Sequence, residues 1–301
     1  MSKARRSLVT GQVSISVQIG STFDGSQALL WSLRRNENVL AAHNVIVPRP
    51  KFYRRRLTEL AETNQGAPAP KELQDELLYS TFEPDESGHV FFTDIDMMEP
   101  VAQMWDGTRW FPDLGRKAAW LHGLLPSAPM RFLLSMRHPA SFLSDVLRSG
   151  GYPKFDKSMP DPTNLSWRDV VGDLRTQCPD VPMTVWRAED LPLVWGQAMH
   201  AACALPDTVA LQGIFDPLEG VMSEDGLKRL RKYLADRTDF TMEMRERVIA
   251  IFIDKFAAKD ALANELDIPG WTEKMQKLAE EKYLADVDAV AGMAGVTYLG
   301  V

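Results

Sequence analysis

The sequence predicts an α/β fold, a central parallel sheet covered by helices, with a helical C-terminal part from about residue 205. Three observations predict it. Short β-rich runs ending at Gly, Asp or Arg alternate with longer segments of helical spacing, the pattern of βα units. Several of those runs are apolar nearly throughout, as strands covered on both faces must be. Beyond residue 205 three helical patterns follow one another without strands between them.

The first strand is Val13-Ser-Ile-Ser-Val-Gln-Ile19, which alternates strictly and stops at Gly20. A helix follows over 26–35, with Leu29, Leu30 and Leu33 on one face. Further strands are expected at 89–93, 130–136 and 182–186. Helices are expected at 114–125, 139–148 and 167–177. In the C-terminal part Ser223 caps a helix holding Leu227, Leu230 and Leu234. A second helix carries Val248, Ile251, Phe252 and Phe256, and Thr272 opens a third with Ala279, Tyr283, Val287 and Val290. Val296 to Leu299 reads as a last strand at the sheet edge. Asn64 to Pro70 and Gly150 to Pro162 read as loops. No internal repeat or firm linker interrupts the order, so residues 1–301 are expected to form one domain.

Composition narrows the function. The 301 residues carry 34 Lys and Arg against 41 Asp and Glu, a formal charge of −7, which argues against nonspecific nucleic-acid binding and its basic stripe while leaving a local basic pocket open. Apolar runs such as 248–253 are far shorter than the ~20 residues of a membrane span. Two cysteines, Cys178 and Cys203, supply neither a disulfide framework nor a structural zinc site. No apolar export signal follows the basic start, so a reduced, cytoplasmic protein is expected. The five histidines show no metal-ligand spacing, and no metal is expected. Neither a Gly-x-Ser-x-Gly elbow, a His-Glu-x-x-His pair nor a dinucleotide fingerprint occurs.

The segment Ile19-Gly-Ser-Thr-Phe-Asp-Gly-Ser-Gln-Ala28 joins a strand to a helix, where backbone N–H groups can cradle an anion. It has no Lys, so it is not a Walker A loop. Its glycines equally suit a tight turn and nothing more. Asp94 and Asp96 follow an expected buried strand, where a general base would stand and where loop carboxylates also serve as caps. Lys51-Phe-Tyr-Arg-Arg-Arg56 suits an anionic or aromatic substrate, or else starts an amphipathic helix with Phe52 and Tyr53 on the core. Met97, Met98, Met104, Trp105 and Trp110 suit an adaptable pocket or ordinary core.

The combination is more specific than its parts. Met136-Arg-His-Pro-Ala-Ser-Phe-Leu-Ser-Asp-Val146, Val185-Trp-Arg-Ala-Glu-Asp190, Tyr283-Leu-Ala-Asp-Val-Asp288 and Gly295-Val-Thr-Tyr-Leu299, taken with the first loop, resemble the bacterial branch of the sulfotransferase family. The resemblance runs in element order from about Val13 to the end. It implies a P-loop-type three-layer fold and transfer of a sulfuryl group from 3′-phosphoadenosine 5′-phosphosulfate to an alcohol or amine on a small-molecule or glycan acceptor. It also implies donor contacts at Gly20, Ser21, Thr22, Gly25, Ser26, Gln27, Arg137 and Ser144, with Asp94 and Asp96 as candidate catalytic carboxylates. The chain departs from the family where the chemistry is most demanding. Phe23 replaces the loop lysine, while Asp24 and Gln27 replace threonines. In the family's 3′-phosphate motif a Ser stands eight residues after the Arg; here Asp145 stands there, one residue past Ser144. Ile95 takes the place of a glutamate. Sulfuryl transfer relies on positive charge around nonbridging oxygens, so these changes imply a degraded donor site. Arg34, Arg35 and Arg137 are the candidates to restore the cation. The rival reading is a noncatalytic protein that uses the same cleft for an apolar or glycan ligand. A nucleotide kinase would need a lysine and a metal carboxylate near Gly20, which the sequence does not provide.

Overall fold

The computed structural model describes residues 12–20, 26–79, 87–93, 103–148, 161, 164–237, 239–257 and 268–300. Among them six strands, β1 (Val13–Gln18), β2 (Val45–Ile46), β3 (Gly88–Thr93), β4 (Met130–Met136), β5 (Met183–Arg187) and β6 (Val296–Leu299), form one parallel sheet in the order β2-β3-β1-β4-β5-β6. The helices are α1 (Ser26–Arg34), α2 (Glu37–Ala42), α3 (Arg54–Asn64), α4 (Lys71–Tyr79), α5 (Leu114–Leu124), α6 (Pro139–Arg148), α7 (Trp167–Gln177), α8 (Leu191–Cys203), α9 (Glu224–Ala235), α10 (Met242–Phe256) and α11 (Glu273–Ala291). The expected α/β class with a parallel sheet is therefore the observed one.

The period-two geometry of strands sorts the side chains between the two faces. Val13, Ile15, Val17 and Ile19 join Phe132, Leu134, Met136 and Val185 on one face, beneath Leu57 of α3, Leu121 of α5, Phe142 of α6, Trp167 of α7 and Val287 of α11. Phe91, Leu133 and Trp186 point the other way, beneath Leu29 and Leu33 of α1, Leu40 of α2 and Val194, Trp195 and Met199 of α8. The second face is covered a further time. Leu227, Leu230 and Leu234 of α9 and Ile249 of α10 build a third apolar cluster that reaches Leu193 of α8. The alternation of β1 is real, yet its polar side is also buried. Ser16 is fully covered and its hydroxyl donates to the Ala201 carbonyl of α8 at 3.5 Å, while His89 of β3 bonds the Ala202 carbonyl at 3.0 Å. Small hydroxyl side chains there let the helix approach the sheet closely.

Helix boundaries follow local chemistry. Ser166, Ser223, Thr241 and Thr272 each accept a backbone N–H from the first turn of the helix they cap, a contact worth about 1 kcal/mol apiece. Pro139 opens α6, where its missing N–H costs nothing. Helices α2, α4 and α8 form where no element was expected, and two further segments differ from expectation. Of the aromatic pair in the basic cluster, Tyr53 is buried but Phe52 is 72% exposed. Val45–Ile46 forms a two-residue edge strand that carries no pattern of its own. The expected loop at 150–162 lies almost wholly outside the described residues.

One topological fact positions the site. β1 and β4 are neighbours, but α1, which follows β1, covers one face of the sheet and α6, which follows β4, covers the other. The chain thus leaves two adjacent strands in opposite directions, and the crevice beyond their carboxyl ends is where open α/β sheets take ligands.

Candidate functional site

Gln18 and Thr93, the last residues of β1 and β3, stand along one line with Leu133 of β4, and β4 runs on a further three residues to Met136. Gly20 lies just past that line, and Arg137 follows the last residue of β4 on the same edge. The connection from Gly20 to Gln27 thus joins the central strand to the N-terminus of α1, which Ser26 begins and where Gln27 is exposed. Ser21, Thr22, Phe23 and Gly25, together with the candidate carboxylates Asp94 and Asp96, lie outside the described residues. Beneath this edge the strand ends are tied by polar contacts. Tyr53 Oη donates to the Thr93 carbonyl at 2.7 Å and accepts the Thr93 N–H at 2.9 Å, and Thr93 Oγ1 donates to Gln18 Oε1 at 3.3 Å.

The turn after β4 is held from three sides. Trp167, fully buried at the start of α7, donates its indole N–H to the Arg137 carbonyl at 2.8 Å. The His138 N–H donates to Glu189 Oε1 at 2.8 Å, and Tyr283 Oη of α11 donates to Glu189 Oε2 at 2.7 Å. Glu189, on the turn after β5, therefore joins two strand ends to the C-terminal helix. The His138 ring meets Tyr283 edge-on at 5.3 Å, and its Nε2 lies 2.9 Å from Glu280 at angles outside hydrogen bonding. Arg187 closes the far side, with Nε 3.3 Å from Asp190 and 3.9 Å from Glu189. Burial holds His138 below the usual imidazole range against the upward pull of Glu280 and Glu189, so the ring is neutral at pH 7. Burial also raises Tyr283, helped by Glu189, and raises Asp190 against the pull of Arg187.

Arg137 itself forms an ion pair with Asp145 of α6, the residue eight positions on. Ser144, one residue earlier, is buried in the same helix. Across the corner three arginines, Arg137, Arg148 and Arg187, stand among four carboxylates, Asp145, Glu189, Asp190 and Glu280. An anion arriving here meets cations already engaged and carboxylates close by, an arrangement that repels a nucleotide bisphosphate.

The other candidates to restore the cation are used elsewhere. Arg34 ends α1 and Arg35 follows it, roughly 13 Å of helix away from the N-terminus. Arg34 donates to the Val47 carbonyl at 2.8 Å, and Arg35 pairs with Asp216. In the basic cluster Arg56 makes a two-pronged pair with Glu76 at 2.7 Å for each bond. Met104 and Trp110 belong to the core, Trp110 packing 4.6 Å from Trp167, whereas Met97 and Met98 lie outside the described residues. Burial pushes the Cys178 thiol up to about 11 and the Cys203 thiol up to about 12, so neither is a nucleophile at neutral pH. Among the described residues no group of three or more His, Cys, Asp or Glu is placed to hold a metal, and no helix is long and apolar enough to cross a membrane.

Sequence reading took Arg137 and Asp145 from one short motif but gave no role to Glu189 or Tyr283. Both lay in quoted segments, and neither segment shows that residues 94 positions apart share one bond.

The chain matches no known family's profile and no curated protein.

Proposed function

We propose that this protein is a sulfotransferase-like protein of the P-loop fold whose donor corner is closed by its own charges. Its ancestral chemistry is sulfuryl transfer from 3′-phosphoadenosine 5′-phosphosulfate to an alcohol or amine, and its present role is that of a ligand-binding protein on the same fold. The observation that carries this reading is the Arg137–Asp145 pair. It follows β4, the neighbour of β1 in the sheet; on this reading an arginine there would meet the 3′-phosphate, and a carboxylate meets the arginine instead. Phe23, where the family has lysine, supports the same reading from the sulfate end. Arg34, Arg35 and Arg187 are each committed to other partners.

The test is calorimetry with 3′-phosphoadenosine 5′-phosphate. The natural protein should bind weakly or not at all. Asp145→Ser should create measurable affinity, and Phe23→Lys with Asp145→Ser should create more. At an effective dielectric of about 20, a carboxylate some 6 Å from a phosphate charge costs about 3 kcal/mol, near two decades in affinity. The new lysine must lose some hydration, so its gain falls short of the full Coulomb figure. Micromolar affinity in the natural protein would overturn the closed corner. A folded double variant that stays silent at millimolar nucleotide would overturn the sulfotransferase ancestry.

A further inference from the structure

A cleft of about 550 Å³ opens on the outer edge of the sheet, between the last turn of α1, α2, β2 and the turn that follows it. The cleft is separate from the β1–β4 crevice, because β3 stands between β2 and β1. Its volume falls in the range of small-molecule sites. Leu40, Val45 and Val47 supply apolar walls, and the exposed ring of Phe52 stands at its rim. Two guanidinium groups, Arg34 and Arg49, share this lining with one carboxylate, Glu37.

The arginines set this cleft apart. Elsewhere on the surface Arg55, Arg56, Arg116, Arg229 and Arg247 each meet a carboxylate. Arg34 donates only to the Val47 carbonyl, and among the described residues Arg49 has no ion-pair partner. Arg34 is half-buried and fixed in place by that bond, so its remaining N–H groups are held at the wall of an apolar space. Guanidinium groups so placed favour a planar anion that accepts two hydrogen bonds.

From this lining we infer a binding site for a medium-chain acyl carboxylate, its carboxylate held by Arg34 and Arg49 and its alkyl body lying along Leu40, Val45 and Val47. Two positive groups against one negative leave room for a single ligand charge, and the apolar walls disfavour a polyphosphate. An extended peptide is the poorer occupant. β2 offers only two residues, Pro48 follows at once after Val47, and the Val47 carbonyl is already taken, so the edge lacks the row of donors and acceptors that strand addition needs. This inference does not depend on the reading of the donor corner.

The experiment is titration calorimetry with octanoate, with octan-1-ol as its neutral counterpart. Arg49→Gln and Ala41→Phe serve as variants, and circular dichroism confirms that each is folded. Arg49 and Ala41 are both exposed, so neither change disturbs the core. Octanoate should bind with a dissociation constant below about 1 mM, octan-1-ol and the Arg49→Gln variant should each bind about tenfold more weakly, and Ala41→Phe should abolish binding by filling the cleft. The inference falls if octanoate gives no heat at about 10 mM, if the alcohol binds as well as the acid, or if either folded variant binds octanoate as the natural protein does.

Discussion

Arg137 and Arg187 at the ends of β4 and β5, and Arg34 and Arg49 beside β2, carry the same charge in two opposite settings. At the β4–β5 corner each arginine faces a carboxylate, and the surrounding backbone is tied to Trp167, Glu189 and Tyr283. At the β2 edge Arg34 meets only a backbone carbonyl and Arg49 has no ion-pair partner among the described residues, beside an apolar cleft. The corner has satisfied its charges internally and become part of the frame. The edge has left its charges for something else to meet. Position in the topological crevice is therefore a guide to where a site forms, but not to whether it is still open.

The largest effect should come from removing the frame at the corner. Trp167→Ala deletes a fully buried indole and the donor that holds the Arg137 carbonyl, and should cost about 4 kcal/mol in a urea unfolding experiment. A loss under about 1 kcal/mol would show that the turn after β4 is held by other means.

Acid should act next. Burial lowers His89 to about 4, so the unfolded chain takes up its proton near pH 6.5 while the folded one does not. Stability therefore falls as pH drops from about 6.5 toward 4, by about 3 kcal/mol from this residue, and is retained above that window. His89→Gln should flatten the pH dependence of the unfolding free energy by a comparable amount. His138 acts in the same direction at the corner, because burial lowers it too. An unchanged slope in the His89 variant would mean that the ring is protonated in the folded protein.

The smallest effect should be at the edge. Arg49→Gln should change stability by less than about 0.5 kcal/mol, since the side chain is exposed and unpaired among the described residues. A larger loss would make Arg49 part of the frame and erase the contrast with the corner.

Much of this architecture was legible in the sequence. β1, β3, β4 and β5 announced themselves as alternating or continuous apolar runs, and α6 and α7 begin and end where Pro139, Ser166 and the helical spacing put them. Four elements, α2, α4, α8 and β2, carried no expectation, and for two of them the physical reason is plain. α8, from Leu191 to Cys203, is packed between the sheet and the third apolar cluster, so it lacks the one-sided stripe that marks a surface helix. Pro192 at its first turn was the available signal. β2 is two residues long, below the length at which any period can be read. At the corner, Asp145 was legible as a carboxylate opposed to phosphate because the same short motif carries it. Glu189 and Tyr283 meet only through the packing of α11 against the sheet, which no local pattern encodes.

The central place of β1 in the sheet also bears on how the chain reaches this structure. Ile15 pairs with Val90 on one side and Met130 on the other, so the strand at the middle of the sheet finds both neighbours only across long intervening stretches of chain. Each such contact must overcome loop-closure entropy before it is rewarded. Refolding should accordingly be slow, on the order of milliseconds to seconds, and until β3 and β4 arrive Val13, Ile15 and Val17 form a short apolar strand with two open edges. In that interval the chain is most exposed to self-association. Its even-handed burial in the finished sheet, apolar on one face and serine-lined under α8 on the other, leaves β1 at the centre with neither edge exposed.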